Sequence, residues 1–166
     1  MSVSSDTNMP KILCSSHFPF SVRESVRFIH RITLGLGSNQ GQSMKILESV
    51  FRHISKHSQM QILWSSPIWR NPPFGYTQQN DFYNAVLIIA TSLSVREVYA
   101  LIFYIERRFG RGRKRAFKNA PRTLDIDLIF YDEVRINGGD LIIPHRCYAQ
   151  RASVMLPLSF CPRNLH

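Results

Sequence analysis

The run Pro121-Arg122-Thr123-Leu124-Asp125-Ile126-Asp127-Leu128-Ile129-Phe130 constrains this chain more than any other stretch. From Thr123 onward it has the composition of a buried β-strand, apolar at nearly every position except two aspartates spaced two apart. Successive strand side chains point to opposite faces, so Asp125 and Asp127 share one face and Leu124, Ile126 and Leu128 the other. Two carboxylates side by side in a half-buried strand repel each other and lose hydration, which is costly without a compensating cation. Oxygen-only ligands held close together suit a hard ion such as Mg²⁺, which commonly takes one or two carboxylates plus substrate phosphates. A solvated sheet edge, or ion pairs with nearby arginines, is the plainer reading of the same acids. The flanking apolar residues favour the metal.

Just upstream lies Arg107-Arg108-Phe109-Gly110-Arg111-Gly112-Arg113-Lys114-Arg115, followed by Lys118 and Arg122. The net charge of +10 asks for an anionic partner, and nucleic acid is the first to consider for a small basic domain. The charge is not spread as a stripe, however. Seven Arg or Lys fall between Arg107 and Lys118, without the interleaved aromatics of a base-stacking platform. Such local concentration favours a polyphosphate over nucleic acid. Arginine forks neutralise non-bridging phosphate oxygens, and clamps of this kind stabilise charge that builds during phosphoryl transfer. Gly110 and Gly112 predict a loop that closes over bound substrate and excludes water.

At 166 residues the chain has the length of one domain with a real core. No apolar stretch approaches the roughly 18 residues of a membrane span. The first residues lack the charged-then-apolar pattern of a secretory signal. Cys14, Cys147 and Cys161 are odd in number, widely spaced and without a CxxC pair, so neither a disulfide framework nor a zinc site is indicated. A cytoplasmic monomer is the expectation.

Residues 1–27 are polar, Ser-rich and poorly periodic, with Pro10 and Pro19 interrupting, and are read as an extension outside the core. The domain proper is expected over 28–166. Arg31 to Gly37 predicts a first strand, Gly37 to Gly41 a turn, and Met44, Leu47, Val50, Phe51 and Ile54 a helix running to about His57. Gln61 to Trp69 predicts a second strand and Phe82 to Thr91 a third. Ser94 with Glu97 is a capping box opening a second helix, with Val95, Val98, Leu101, Ile102 and Ile105 on its buried face and Gly110 as its stop. The aspartate strand follows, then a hairpin near Asn137-Gly138-Gly139 and a region from Pro144 to Pro157. The fold class expected from β-α-β-β-α-β is α+β: a ferredoxin-like sandwich with an antiparallel sheet and an extra C-terminal hairpin and helix.

Gly35, Gly37 and Gly41 have the wrong spacing for a dinucleotide fingerprint and lack the acid that should follow, so they are read as permitting a tight strand-to-helix turn. No Walker A ending is present. Asn71-Pro72-Pro73-Phe74-Gly75 and Phe82-Tyr83-Asn84 join a proline turn, aromatics and two amides. They read either as loop plus core aromatics or as a flat slot for a heteroaromatic ring. His145 and Arg151 are either a surface pair or part of the site.

Leu36-Gly37-Ser38-Asn39, Pro72-Pro73-Phe74-Gly75, Asn84-Ala85, Glu106, Gly110-Arg111-Gly112-Arg113, Pro121 through Asp127, Pro144-His145 and Arg151 through Leu158 together resemble the 6-hydroxymethyl-7,8-dihydropterin pyrophosphokinase family. The resemblance runs from about residue 30 to the C-terminus, and Pro-Arg-Thr-Leu-Asp-x-Asp is its most specific signature. It implies an enzyme of folate biosynthesis that moves pyrophosphate from ATP to the hydroxymethyl group of the pterin and releases AMP. It also implies Asp125 and Asp127 as ligands of two Mg²⁺ ions, and Arg111 and Arg122 as catalytic arginines on the phosphates. Glu106, Arg113, Lys114, Leu128, Leu141, Ile142, His145 and Arg151 match the ATP-binding set. Asn71, Pro72, Phe74, Phe82 and Asn84 match the pterin slot. A nucleotidyltransferase using the same acids and a single-strand RNA-binding module are the alternatives.

Overall fold

A computed structural model of the chain describes residues 9–73, 78–110 and 121–165. Its strands are β1 (Lys11–Leu13), β2 (Phe20–Ser21), β3 (His30–Ser38), β4 (Met60–Ser65), β5 (Ile68–Asn71), β6 (Phe82–Thr91), β7 (Asp125–Tyr131), β8 (Ile136–Gly138) and β9 (Leu141–Ile143). Its α-helices are α1 (Ser43–Ser55), α2 (Val95–Arg108) and α3 (Ala152–Leu158). The main sheet runs β1-β5-β6-β3-β7, with β4 also on β6 and β2 on β4. Every pairing in it is antiparallel. β3 and β6 at its centre pair over nine positions. This is the expected ferredoxin-like α+β order, and β8 and β9 form the added hairpin.

Helices α1 and α2 cover one face of the sheet. Leu47, Val50, Phe51 and Ile54 of α1 and Val98, Ile102 and Ile105 of α2 pack on Ile32, Leu34, Leu36, Leu87, Ile89, Ile126 and Leu128. The α2 capping box forms as its sequence predicts: the Ser94 side chain accepts from the Glu97 N–H, and the Glu97 carboxylate accepts from the Ser94 N–H. On the opposite face, Leu63, Trp64, Val86 and Ile88 are covered by Leu158, Leu165 and the segment around Val22 and Phe28. This cover lies over β4 and the second half of β6. The remainder holds the site.

Two expectations need correction. The stretch predicted as one strand over 61–69 is two, interrupted at Ser66-Pro67. There Ser66 takes over the pairing: its N–H donates to the Val86 carbonyl and its Oγ accepts from the Val86 N–H, each at 2.9 Å. The segment expected outside the core also enters it. Phe18 is fully buried, β1 extends β5 and β2 extends β4. Phe51 of α1 receives three rings, stacking on His17 at 4.5 Å and meeting Phe18 and Phe20 edge-on. Strands of two or three residues are too short to display a period, which is why this segment reads as featureless.

Candidate active site

Antiparallel register fixes which side chains share the open face. Asp127 lies opposite Gly35, which lies opposite Val86; Asp125 lies opposite Gly37, which lies opposite Asn84. Both glycines are strand residues, as the strand predicted over Arg31 to Gly37 has them, and β3 runs one residue further, to Ser38. Among them only Gly41, at φ +77°, uses the conformational freedom of glycine. Gly35 and Gly37 serve by what they lack. A Cβ on Gly37 would sit 3.2 Å from Asn84 Oδ1, and one on Gly35 would meet Ile129 and Val154. The missing side chains leave a trough in the centre of the sheet, with acids along one side and amides along the other.

That trough is a cavity of about 410 Å³, within the usual range of small-molecule sites. Phe82, Asn71 and Asn84 form one wall, Arg122, Asp125 and Asp127 another, and residues 150–154 at the start of α3 close over it. Asn84 Nδ2 donates to Asn71 Oδ1 at 2.6 Å, and Asn71 Nδ2 donates to the Pro72 carbonyl at 2.8 Å. Both amides are thus held in one orientation. Pro72 acts through this carbonyl and does not itself line the cavity.

Asp125 pairs with Arg122, and Asp127 with Arg151 at 2.7 Å and His145 Nε2 at 3.5 Å. Both acids thus make the ion pairs with arginines that the plainer reading expects. A β-bulge brings His145 in. Leu34 pairs with Leu128 and Thr33 with Phe130, so Ile129 is the extra residue, and its carbonyl accepts the His145 N–H at 2.9 Å. Arg122 Nε and His145 Nδ1 are buried with no hydrogen-bond partner among the described residues. Both can still serve an incoming ligand. No group of three or more His, Cys, Asp or Glu placed to hold a metal occurs among the described residues. The donor set is two carboxylates, which fits a hard ion that completes its shell with water and phosphate oxygens.

A second cavity, of about 340 Å³, lies beyond the outer edge of β7, between α2 and the β8–β9 hairpin. Asp125 and Asp127 line it as well, together with Glu106, Leu128, Leu141, Ile142 and His145. Glu106, almost wholly buried, accepts the Ile126 N–H at 2.7 Å and so binds α2 to the aspartate strand. At the other end of α2 the Tyr99 hydroxyl donates to the Asp140 carbonyl at 3.0 Å. Burial, together with Asp140, Glu106 and Asp127, pushes this phenol above its ordinary pKa.

The sequence model of the 7,8-dihydro-6-hydroxymethylpterin-pyrophosphokinase (HPPK) family matches residues 33–161. The chain belongs to the HPPK family. Its relatives include the 2-amino-4-hydroxy-6-hydroxymethyldihydropteridine pyrophosphokinase of Helicobacter pylori, 51% identical over 151 residues, covering 91% of this chain and 93% of that one. The protein of the same name from Campylobacter jejuni is 38% identical over 144 residues, 87% of this chain and 90% of its own. That from Methylorubrum extorquens is 34% identical over 129 residues, 78% and 80% respectively. As a member of the HPPK family, this chain is a folate-biosynthesis pyrophosphokinase, an ATP-dependent diphosphotransferase.

Within this HPPK chain, twelve of the residues singled out from sequence line one or both cavities, among them Asn71, Phe82, Asn84, Glu106, Arg122, Asp125, Asp127, Leu128, His145 and Arg151. Leu141 and Ile142 line the second cavity too. Arg151, grouped with the nucleotide residues, lines the first cavity and reaches the dyad from there. Phe74, Arg111, Arg113 and Lys114 lie outside the described residues. Sequence reasoning noted Asn39 within a family motif but gave it no role. Its Oδ1 accepts the Arg122 N–H at 2.9 Å, and its Nδ2 donates to Gln79 Oε1 and the Asn80 carbonyl at 2.8 and 3.2 Å. One buried amide ties the approach to the aspartate strand to the approach to β6. Its place at the end of a strand, just before a helix, was the available signal. Tyr99 and Phe103 of the second cavity were missed, since helical spacing alone makes them ordinary surface aromatics.

Proposed function

We propose that this chain transfers a diphosphoryl group from ATP to the hydroxymethyl oxygen of 6-hydroxymethyl-7,8-dihydropterin and releases AMP. The observation that carries this reading is that Asp125 and Asp127 are the shared wall of two cavities of different character. One offers a ring-sized trough with a phenylalanine and two fixed amides, the features a flat heterocycle with donor and acceptor edges requires. The other runs along an apolar helix face and ends at the acids, the features a nucleoside with a polyphosphate tail requires. Reacting groups entering from opposite sides meet at the dyad.

Asn71 and Asn84 orient the pterin by its edges and Phe82 packs its ring. Glu106, Leu128, Leu141 and Ile142 hold the nucleoside. Arg122, His145 and Arg151 take phosphate oxygens, with Arg111, Arg113 and Lys114 joining them. Asp125 and Asp127 hold Mg²⁺, for which we take a stoichiometry of two. When bound, the metal neutralises charge along the triphosphate and favours departure of AMP. The hydroxymethyl oxygen forms a bond to the β-phosphorus as the bond from that phosphorus to the α–β bridging oxygen breaks. The hydroxyl proton passes to solvent and the bridging oxygen leaves on AMP. Arg122 stabilises the charge that gathers on the transferred group. Three cysteines without disulfides support a cytoplasmic setting, and a monomer is the state we propose.

Incubation with ATP, Mg²⁺ and 6-hydroxymethyl-7,8-dihydropterin should yield AMP and the pterin diphosphate in equal amounts. Release of inorganic pyrophosphate with a nucleotidylated pterin would assign the chain to nucleotidyl transfer instead. Tight, metal-independent RNA binding without ATP turnover would assign it to RNA recognition.

A further inference from the structure

We propose that the outward face of helices α1 and α2 is a binding surface for single-stranded nucleic acid. A base stacks on Tyr104 there, and the arginines and lysines around it take the phosphates. Tyr104, Arg52, Lys56, Arg107 and Arg108 line neither cavity of the site, so this surface adds to the transferase reaction without replacing it.

Helices α1 and α2 hold three glutamates, and each is engaged inside the fold. Glu48 accepts from Ser15 and His17, Glu97 closes the capping box, and Glu106 takes the Ile126 N–H. The cations have no such use. Lys45, Arg52, Arg96, Arg107 and Arg108 on the helices, and Lys56 at the end of α1, are all exposed. None of them pairs with a carboxylate among the described residues. The outer surface of the helix layer is therefore positive along both helices. Arg52 and Lys56 stand one turn apart, a like-charge spacing that costs stability unless an anion bridges it.

This charge gathers around one exposed aromatic ring. Tyr104 is 48% exposed and joins the two helices: its ring centroid lies 6.2 Å from that of His53, with the planes at 34°. Arg108 Nη1 reaches its hydroxyl at 3.5 Å. Arg52 precedes His53 and Arg107 precedes Arg108, so each helix brings guanidinium groups to the neighbourhood of the ring. Burial, then the charges of Arg108 and His57, holds the His53 imidazole below its ordinary pKa, in keeping with that excess of positive charge. Cations along a phosphate chain and an open ring beneath a base are the combination that binds single strands. A duplex keeps its bases stacked on one another and offers the ring nothing. A lipid surface calls for aliphatic side chains that enter it, and the exposed ones, such as Ile29, Met155 and Leu156, belong to other segments. An acidic peptide would use the charges but not the ring.

The test is fluorescence anisotropy of the full chain with a labelled oligouridylate of about 12 nucleotides, a length such surfaces cover. Mg²⁺ and an α,β-methylene ATP analogue are kept saturating, so that the cavity beside β7 is filled, and the salt concentration is varied. The strand should bind, and a hairpin duplex of equal charge distinctly more weakly. Tyr104→Ala should weaken the strand roughly 5- to 100-fold, the range of one lost base–aromatic stack, and Tyr104→Trp should restore it. The double variant Arg52→Gln/Lys56→Gln should lower the slope of log affinity against log salt by about 1.4, at roughly 0.7 for each phosphate contact on a single strand. All three variants should melt as the parent does, because these side chains are exposed, and should form AMP at the parental rate. Affinity and salt slope unchanged in the variants would place the strand on other basic residues and refute the surface. Inorganic polyphosphate that binds as tightly as the strand and ignores Tyr104→Ala would refute the stacking ring. Anionic lipid vesicles that bind more tightly than the strand would assign the face to a membrane and overturn the proposal, as would a parent chain that binds no strand.

Discussion

Arg151 Nη1 donates to Asp127 Oδ2 at 2.7 Å, joining the entrance of α3 to the middle of β7. With Arg122 on Asp125, this contact means that each acid of the pair already has a cation. A divalent ion must displace guanidinium groups to enter, unless an anion draws them away. On the function proposed above, triphosphate is that anion.

Metal and nucleotide should therefore bind with positive coupling, each raising the affinity of the other by the same factor. Mn²⁺ followed by electron paramagnetic resonance should bind weakly alone and at least about tenfold more tightly with an ATP analogue, a coupling of roughly 1.4 kcal/mol, within the usual range. Arg151→Gln should tighten Mn²⁺ alone and weaken the analogue. Equal Mn²⁺ affinity with and without nucleotide would refute the exchange of partners.

Arg122→Ala should lower kcat by about 100- to 1000-fold, the effect of removing one donor aimed at developing charge. Arg122→Lys should recover only part of this, since an ammonium lacks the planar fork. Single-turnover quench measurements separate this loss from a change in product release. Unchanged turnover would remove Arg122 from the chemistry.

Gly37→Ala places a methyl 3.2 Å from Asn84 Oδ1, inside ordinary contact distance. Because Asn84 is held by Asn71 at 2.6 Å, the amide must shift as part of a pair. The pterin KM should rise about 2- to 10-fold, corresponding to one weakened neutral hydrogen bond of roughly 0.5–1.5 kcal/mol. ATP-analogue affinity should stay at the parental value, which titration can check.

Glu48 on α1 ties down the N-terminal segment by accepting from the Ser15 hydroxyl, the His17 N–H and the His17 ring. Burial raises its pKa, but the Ser15 and His17 contacts outweigh this and leave it below its ordinary value of 4.5. The stabilisation is complete above that ordinary value and is lost as pH falls through the lowered one. Glu48→Gln should cost about 1–3 kcal/mol at neutral pH, the range for charge-assisted hydrogen bonds. It should also flatten the acid limb of stability measured by urea unfolding. Parallel acid limbs for variant and parent would contradict this assignment.

Much of this arrangement is legible in the chain because local and tertiary demands agree there. The Ser94/Glu97 box sets the start of α2 by side chain–backbone hydrogen bonds three residues apart, with no distant partner needed. The alternation from Leu124 to Leu128 survives because one face of β7 meets the core and the other meets the cavity. Agreement fails where a residue acts through a distant partner. Gly35 and Gly37 were legible as strand residues, but their use as open space shows only once the register places Ile129 and Asn84 against them. Asn39 looks like any turn asparagine until residues 79, 80 and 122 reach it. Phe18 sits in a stretch without period, and its burial depends on the three-ring contact with Phe51.

That last contact bears on how the protein can be handled in the laboratory. A recombinant fragment trimmed to the boundaries of family matching, residues 33–161, would omit Phe18, β1, β2 and the groups that clasp Glu48. Losing one fully buried phenylalanine forfeits roughly 1.5–3 kcal/mol of apolar burial. It would also bare the Phe51 ring to water and leave β5 without its edge partner. Such a truncation should aggregate on expression, while a fragment beginning at residue 9 should remain dispersed.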